Sequence, residues 1–209
     1  MGIVMFYEET PDMALRFGDI LEGFILAAST IKEPTPTIKK YEVSIDLPIY
    51  SVILSPCCSI GDKVISLTPL IEIKGSFFDN PYFAEDVTRI NRKMKPEQTV
   101  APHVWDKFPP DQKQKRLNEG ETYAFLSMFI YEKHDLLPIY HIKLGQRIIN
   151  TNYYMIDFRN TCKVNCDKII SPERAPLELK CFQLSVRARS ELREKITYYY
   201  SRPLKEDKD

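Results

Sequence analysis

Short strand-like runs fill most of this chain, and they constrain its fold more than any other feature. "GDILEGFIL" (18–26) and "KKYEVSIDL" (39–47) are brief and apolar, the second alternating at Tyr41, Val43 and Ile45. "YSVILS" (50–55) is a continuous apolar run, the pattern of a strand with both faces covered. "KVISLTPLIEI" (63–73) is β-branched and alternating, and Pro69 demotes its middle to an edge or bulge. Strands return at "ETYAFLSMFIYEK" (121–133) and "LLPIYHIKL" (136–144), with His134-Asp135 short enough to close a hairpin between them. "TNYYMIDF" (151–158) and "KVNCDKII" (163–170) complete the set.

Two regions break this pattern. Over 76–119 the spacing of Phe83, Val87, Ile90 and Met94 predicts a helix, capped by Asp79 or Asn80 and ended by Pro96. A short turn follows at Val104 and Trp105, before Pro109-Pro110 breaks the chain again. The second region is a closing helix, within 185–202. Ser185 is its N-cap, and Val186, Leu192, Ile196 and Tyr199 or Tyr200 form its apolar stripe. These elements predict one domain over 1–209, α+β and mainly β. The expected architecture is a coiled antiparallel barrel from 16–75 and 120–170, with the helical insertion (76–119) and the C-terminal helix added.

Composition narrows the functional classes. Of 209 residues, 44% are hydrophobic and 28% charged, enough apolar content for a packed core. Lys plus Arg and Asp plus Glu both number 29, which argues against a uniformly basic nucleic-acid binder and leaves room for a local basic face. No run approaches the ~18–20 apolar residues of a membrane span. "MGIVMFYEETPD" has no basic n-region and brings Glu8, Glu9 and Asp12 early, so no signal peptide and no membrane association are expected. Five cysteines, an odd number, suggest reduced thiols in a cytoplasm.

Several residues could carry chemistry. Cys57-Cys58 end a strand; Cys58 is a candidate nucleophile if His103, His134 or His141 reaches it, and otherwise both are small buried fillers. Cys162 and Cys166 stand at a zinc-like spacing, but Lys163, Val164 and Asn165 between them continue a strand and no second knuckle follows. No metal and no cofactor is therefore expected. Basic residues cluster in the insertion at Arg89, Arg92, Lys93 and Lys95 and again at Lys113, Lys115 and Arg116, which makes it the nucleic-acid candidate. No glycine-rich phosphate loop, G-x-S-x-G elbow or HExxH motif occurs.

The order "RFGDILEGFIL", a long loop, "YSVILSP" and "VISLTPLIEI" resembles the first strands of the PemK/MazF plasmid-maintenance toxins. "YSVILSPCCSIGDK" and the helix "RSELREKITYYYSRP" also resemble a prokaryotic group that carries leucine-serine-x-x-cysteine-aspartate and a spaced arginine-leucine-arginine pattern. The likeness runs from about Arg16 to Ile73 and again over the last ~30 residues. It implies an SH3-like barrel in a prokaryotic cytoplasm. Toxins of this type cleave RNA with an arginine in the loop after the first strand and a threonine just past the proline-containing turn. Here that loop holds Lys32, Lys39 and Lys40, and Leu70 and Ile71 follow Pro69, with Thr68 one residue before it. Ser59 stands where the related group has aspartate. A lysine lacks the bidentate fork of arginine, and isoleucine can transfer no proton. The expectation is a binding or interaction module without toxin-type ribonuclease activity, its partner a protein or a second copy, or RNA held by the insertion. The alternatives are a diverged endoribonuclease using Lys32, Lys39, Lys40 and Thr68, and a Cys58-dependent enzyme or zinc protein.

Overall fold

A computed structural model describes residues 6–12, 14–31, 41–56, 60, 64–74, 87, 90–91, 98–123, 125–133, 137–141, 145–149, 152–165 and 180–201, with the backbone alone at 29–31, 41, 137–141 and 145–149. In chain order the strands are β1 (Ile20–Glu22), β2 (Leu26–Ile31), β3 (Tyr41–Asp46), β4 (Tyr50–Ile53), β5 (Val64–Pro69), β6 (Ile71–Glu72) and β7 (Thr99–Val100). They continue with β8 (Thr122–Tyr123), β9 (Met128–Tyr131), β10 (Leu137–His141), β11 (Gly145–Ile149), β12 (Tyr154–Asp157), β13 (Cys162–Asn165) and β14 (Lys180–Phe182). The fold is α+β, mainly antiparallel sheet with a C-terminal helix. Among the described residues the sheets do not close into a barrel.

A five-stranded sheet, in the order β13-β5-β4-β1-β14, forms the centre. β4 is buried on both sides, as its unbroken apolar run implies. Val52 and Leu54 join the larger core with Phe129, Ile156 and Leu192, while Ile53 packs on the other side with Leu21, Ile65 and Leu67. The 63–73 run breaks at Leu70, beside Pro69. Its first part pairs with β4 and its last part, β6, crosses to a three-stranded sheet ordered β6-β12-β9. One sequence run thus serves two sheets, and the larger core lies between them and the C-terminal helix (Val186–Tyr200).

The 18–26 run is not one strand. Gly23, at φ 81°, ends β1 and lets Leu26 begin a separate ribbon with β3. Gly18, at φ 86°, shapes the turn into β1, and a Cβ there would stand 2.8 Å from Leu184 Cδ1. Gly18→Ala should therefore lower stability by about 1–2 kcal/mol, read as a drop in the urea midpoint. An unchanged midpoint would contradict this account of the turn.

Three sequence expectations need correction. Among the described residues β9 pairs with β12 and β10 with β11, a strand unassigned from the sequence, so β9 and β10 do not form the hairpin expected across His134-Asp135. Pro109-Pro110 opens a helix instead of breaking one, because proline at the first helical position loses no intrahelical bond; the helix runs Pro110–Asn118. The C-terminal helix starts at Val186, with Ser185 accepting from the Ala188 N–H, as its sequence indicates. Its buried stripe, however, is Ala188, Leu192 and Lys195, with Ile196 and Tyr199 packed beside it, while Val186 and Tyr200 are exposed. Just before that helix, a stretch with no strand pattern in the sequence supplies β14.

The insertion is helical at Val87, Ile90 and Asn91 and at Pro102–Trp105, the short turn expected around Val104. Phe83, Met94, Asp79, Asn80 and Pro96 lie outside the described residues. No helix among the described residues is long and apolar enough to cross a membrane.

Candidate interaction surface

The sequence candidates divide sharply. Lys32, Lys39, Lys40, Cys57, Cys58, Arg89, Arg92, Lys93, Lys95, His134 and Cys166 lie outside the described residues, as does the side chain of His141. Thr68 is described and fully buried, its hydroxyl 2.9 Å from that of Thr161. Because Thr161 donates its own proton to the Phe158 carbonyl, Thr68 must be the donor of the pair. Its hydroxyl is enclosed and engaged. Cys181 is buried in the larger core, and the half-buried Cys162 thiol lies 3.8 Å from the Ala27 carbonyl. No group of three or more His, Cys, Asp or Glu side chains suited to a metal occurs among the described residues.

The cations of the Pro110–Asn118 helix are largely occupied. Arg116 pairs with Glu121 and lies 4.5 Å over the Phe108 ring, and Lys113 donates to the Asp106 carbonyl. Lys115 is exposed. Arg116 and Lys113 thus hold the described part of the insertion together.

A buried ionic centre, missed in the sequence, ties β14 to the N-terminal approach. Lys180 is completely enclosed. Its ammonium donates to Gln183 Oε1 (2.8 Å) and to the carbonyls of Ala14 (2.7 Å) and Asp12 (3.0 Å), and forms an ion pair with Asp19 Oδ2 at 2.9 Å. Asp19 is equally enclosed, and burial pushes its carboxyl up to about 6, against the opposing pull of the Lys180 and Arg189 charges. These acceptors lie on the 12–19 approach and beside β14, so the centre fastens the two segments together. Its only sequence signal is a lysine set among Leu179, Cys181 and Phe182.

The sheet edges differ in how they are covered. β9 is the edge of its sheet, and the insertion caps it: the Asn91 side chain accepts from the Ile130 N–H and donates to the Ile130 carbonyl, at 2.6 and 2.8 Å. Lys195 adds a bond from the C-terminal helix to the Ile90 carbonyl, and burial pushes its ammonium down to about 8.

The ribbon differs. Among the described residues β3 pairs only with β2, and a strand paired on one side can template a further strand on the other. Val43 is 55% exposed, Ile45 65% and Leu47 73%, all at every-second-residue spacing and so on one face. Ile25 and Ile49, beside the Leu26–Asp46 end of the ribbon, are also exposed. The opposite face carries Glu42, Ser44 and Asp46, which are also exposed. Edge strands usually carry lysine, proline or a bulge that blocks pairing; the six residues of β3 contain neither lysine nor proline. The alternation at Val43 and Ile45 was legible as a strand. That it faces outward was not.

The chain matches no protein-family model, and neither a curated protein nor a solved structure is significantly similar to it.

Proposed function

We propose that this chain is a cytoplasmic prokaryotic protein-interaction module on an SH3-like coiled barrel of the PemK/MazF type, without toxin-type ribonuclease chemistry. The observation that carries this reading is the exposed apolar row Val43, Ile45 and Leu47 along β3, a strand whose one partner among the described residues is β2. The sheet switch at Pro69–Leu70 supports the barrel, because small coiled barrels turn their corners with strands that pass from one sheet to another.

The partner that fits best is a second copy pairing antiparallel along β3. A two-fold axis at Ile45 sets Ile45 against Ile45 and Val43 against Leu47, and on the other face sets Ser44 against Asp46. An axis at Ser44 would oppose Glu42 to Asp46, a like-charge pair that disfavours that register. The Ile45 register brings all three exposed apolar residues into one row.

Two observations weigh against RNA chemistry. Thr68 offers no accessible hydroxyl, and Arg116 and Lys113 are held within the insertion. Light scattering on the purified chain should give twice its 24.4 kDa mass at micromolar concentration, and single-stranded RNA added to it should stay intact. A monomer throughout would overturn the self-pairing module. Cleavage that disappears when Lys32, Lys39 and Lys40 are replaced would establish the ribonuclease instead.

A further inference from the structure

A cleft of about 710 Å³ opens between the last two turns of the C-terminal helix and the exit of β4. Phe17, Leu54, Pro56, Ile196 and Tyr200 make most of its lining apolar, with Arg193, Thr197 and Ser201 along the helix side. Phe17 and Leu54 are buried residues of the larger core, so the floor is fixed by packing. A cleft of a few hundred Å³, apolar with few polar groups, is the usual form of a small-molecule site.

The one charged residue of the described lining is Arg193. Arg16, Arg116, Arg159 and Arg187 each meet a carboxylate, on Asp12, Glu121, Asp157 and Glu191. Arg193 meets none among the described residues. Its guanidinium lies 5.6 Å over the centroid of the Phe17 ring, which orients it at the cleft while leaving its N–H donors open. Thr197 is occupied, since its hydroxyl donates to the Arg193 carbonyl.

We propose that this cleft binds a small apolar monocarboxylate, the carboxylate on the Arg193 fork and the hydrocarbon body over Phe17, Leu54 and Ile196. A planar guanidinium matches a carboxylate through two parallel hydrogen bonds. Among the described residues Arg193 is the one cation of the lining, which suits a single negative charge; a nucleic-acid backbone or a polyphosphate would call for several. The site lies apart from the β3 edge and does not depend on the self-pairing described above.

The test is calorimetric titration of the full chain with straight-chain alkanoates of increasing length and with the carboxamide of each. Affinity should rise about fourfold per added methylene until the cleft is filled. Each carboxylate should bind at least tenfold more tightly than its carboxamide. In Arg193→Gln that advantage should vanish while carboxamide affinity stays unchanged. Arg193 is exposed, so the variant should fold, and the wild-type comparison of acid with amide stands without it. Equal binding of acid and amide, or no alkanoate binding to wild type, would overturn the proposal. So would tighter binding of an apolar peptide's C-terminal carboxylate than of an alkanoate with matching side-chain bulk. Neither result would touch the oligomeric state, which reports separately on the interaction module.

Discussion

Lys180→Met is expected to destabilise the fold by about 3–5 kcal/mol at pH 7.5, among the largest single effects available in this chain. Methionine keeps the length and apolar stem of the side chain but withdraws the ammonium from Asp19, Gln183 and two backbone carbonyls at once. What it leaves behind is a fully buried carboxylate without its cation. The pH dependence follows from Asp19. Its carboxyl is raised in the folded protein to about 6 from an ordinary 3.8, so the folded state holds a proton that the unfolded chain has already lost. The Asp19 contribution is therefore greatest below about pH 4 and is lost as pH rises through about 6. Removing Lys180 takes away a charge that holds the carboxyl down, and protonation then relieves the orphaned carboxylate. The cost of Lys180→Met should consequently be smaller at pH 5 than at pH 7.5. Urea unfolding at the two pH values checks this. A cost that grows toward acid would contradict the assignment of Asp19 as its counter-ion.

The second large effect concerns association. Val43→Lys combined with Ile45→Lys should weaken self-pairing by at least ~100-fold, about 2.7 kcal/mol. In the Ile45-centred register the two new ammonium groups at position 45 face each other across the axis, and both copies lose the apolar row. Lysine on an edge strand is also the device by which proteins block such pairing. Both side chains are exposed in the single chain, so the stability of the monomer should stay within about 0.5 kcal/mol. Sedimentation over a concentration series separates the two quantities. An unchanged dissociation constant would move the interface away from β3.

The sequence was most legible where one residue type has one use. Ser185 capped the helix as its position implied, and the unbroken run at β4 was buried on both faces. Pro69 marked the point where one run divides between two sheets. What escaped notice has physical reasons. β14 is three residues long with a lysine at its start, and strand patterns that short carry no period. The same lysine is the centre of the ionic cluster, because a buried ammonium is identifiable only by the acceptors that the fold brings to it. The helix stripe turned because Lys195, polar in any pattern, points inward to the Ile90 carbonyl, while Val186 points out. Alternation at Val43 and Ile45 gave the strand but could not say which face meets solvent, since a period of two is the same for a core and for an interface. Arg193 likewise looks like any helix-surface cation until Phe17 is found beneath it.

Of all measurements, cross-linking of Ile45→Cys bears most directly on the edge-pairing proposal. Residues directly opposite in an antiparallel pair stand about 4.5–5.5 Å apart at Cα, within reach of a disulfide. Mild oxidation followed by peptide mass spectrometry should give a dimer joined through position 45 on both copies, at a yield that falls with dilution. A chain that stays monomeric, or that links position 45 only to its own native cysteines, would contradict pairing along β3.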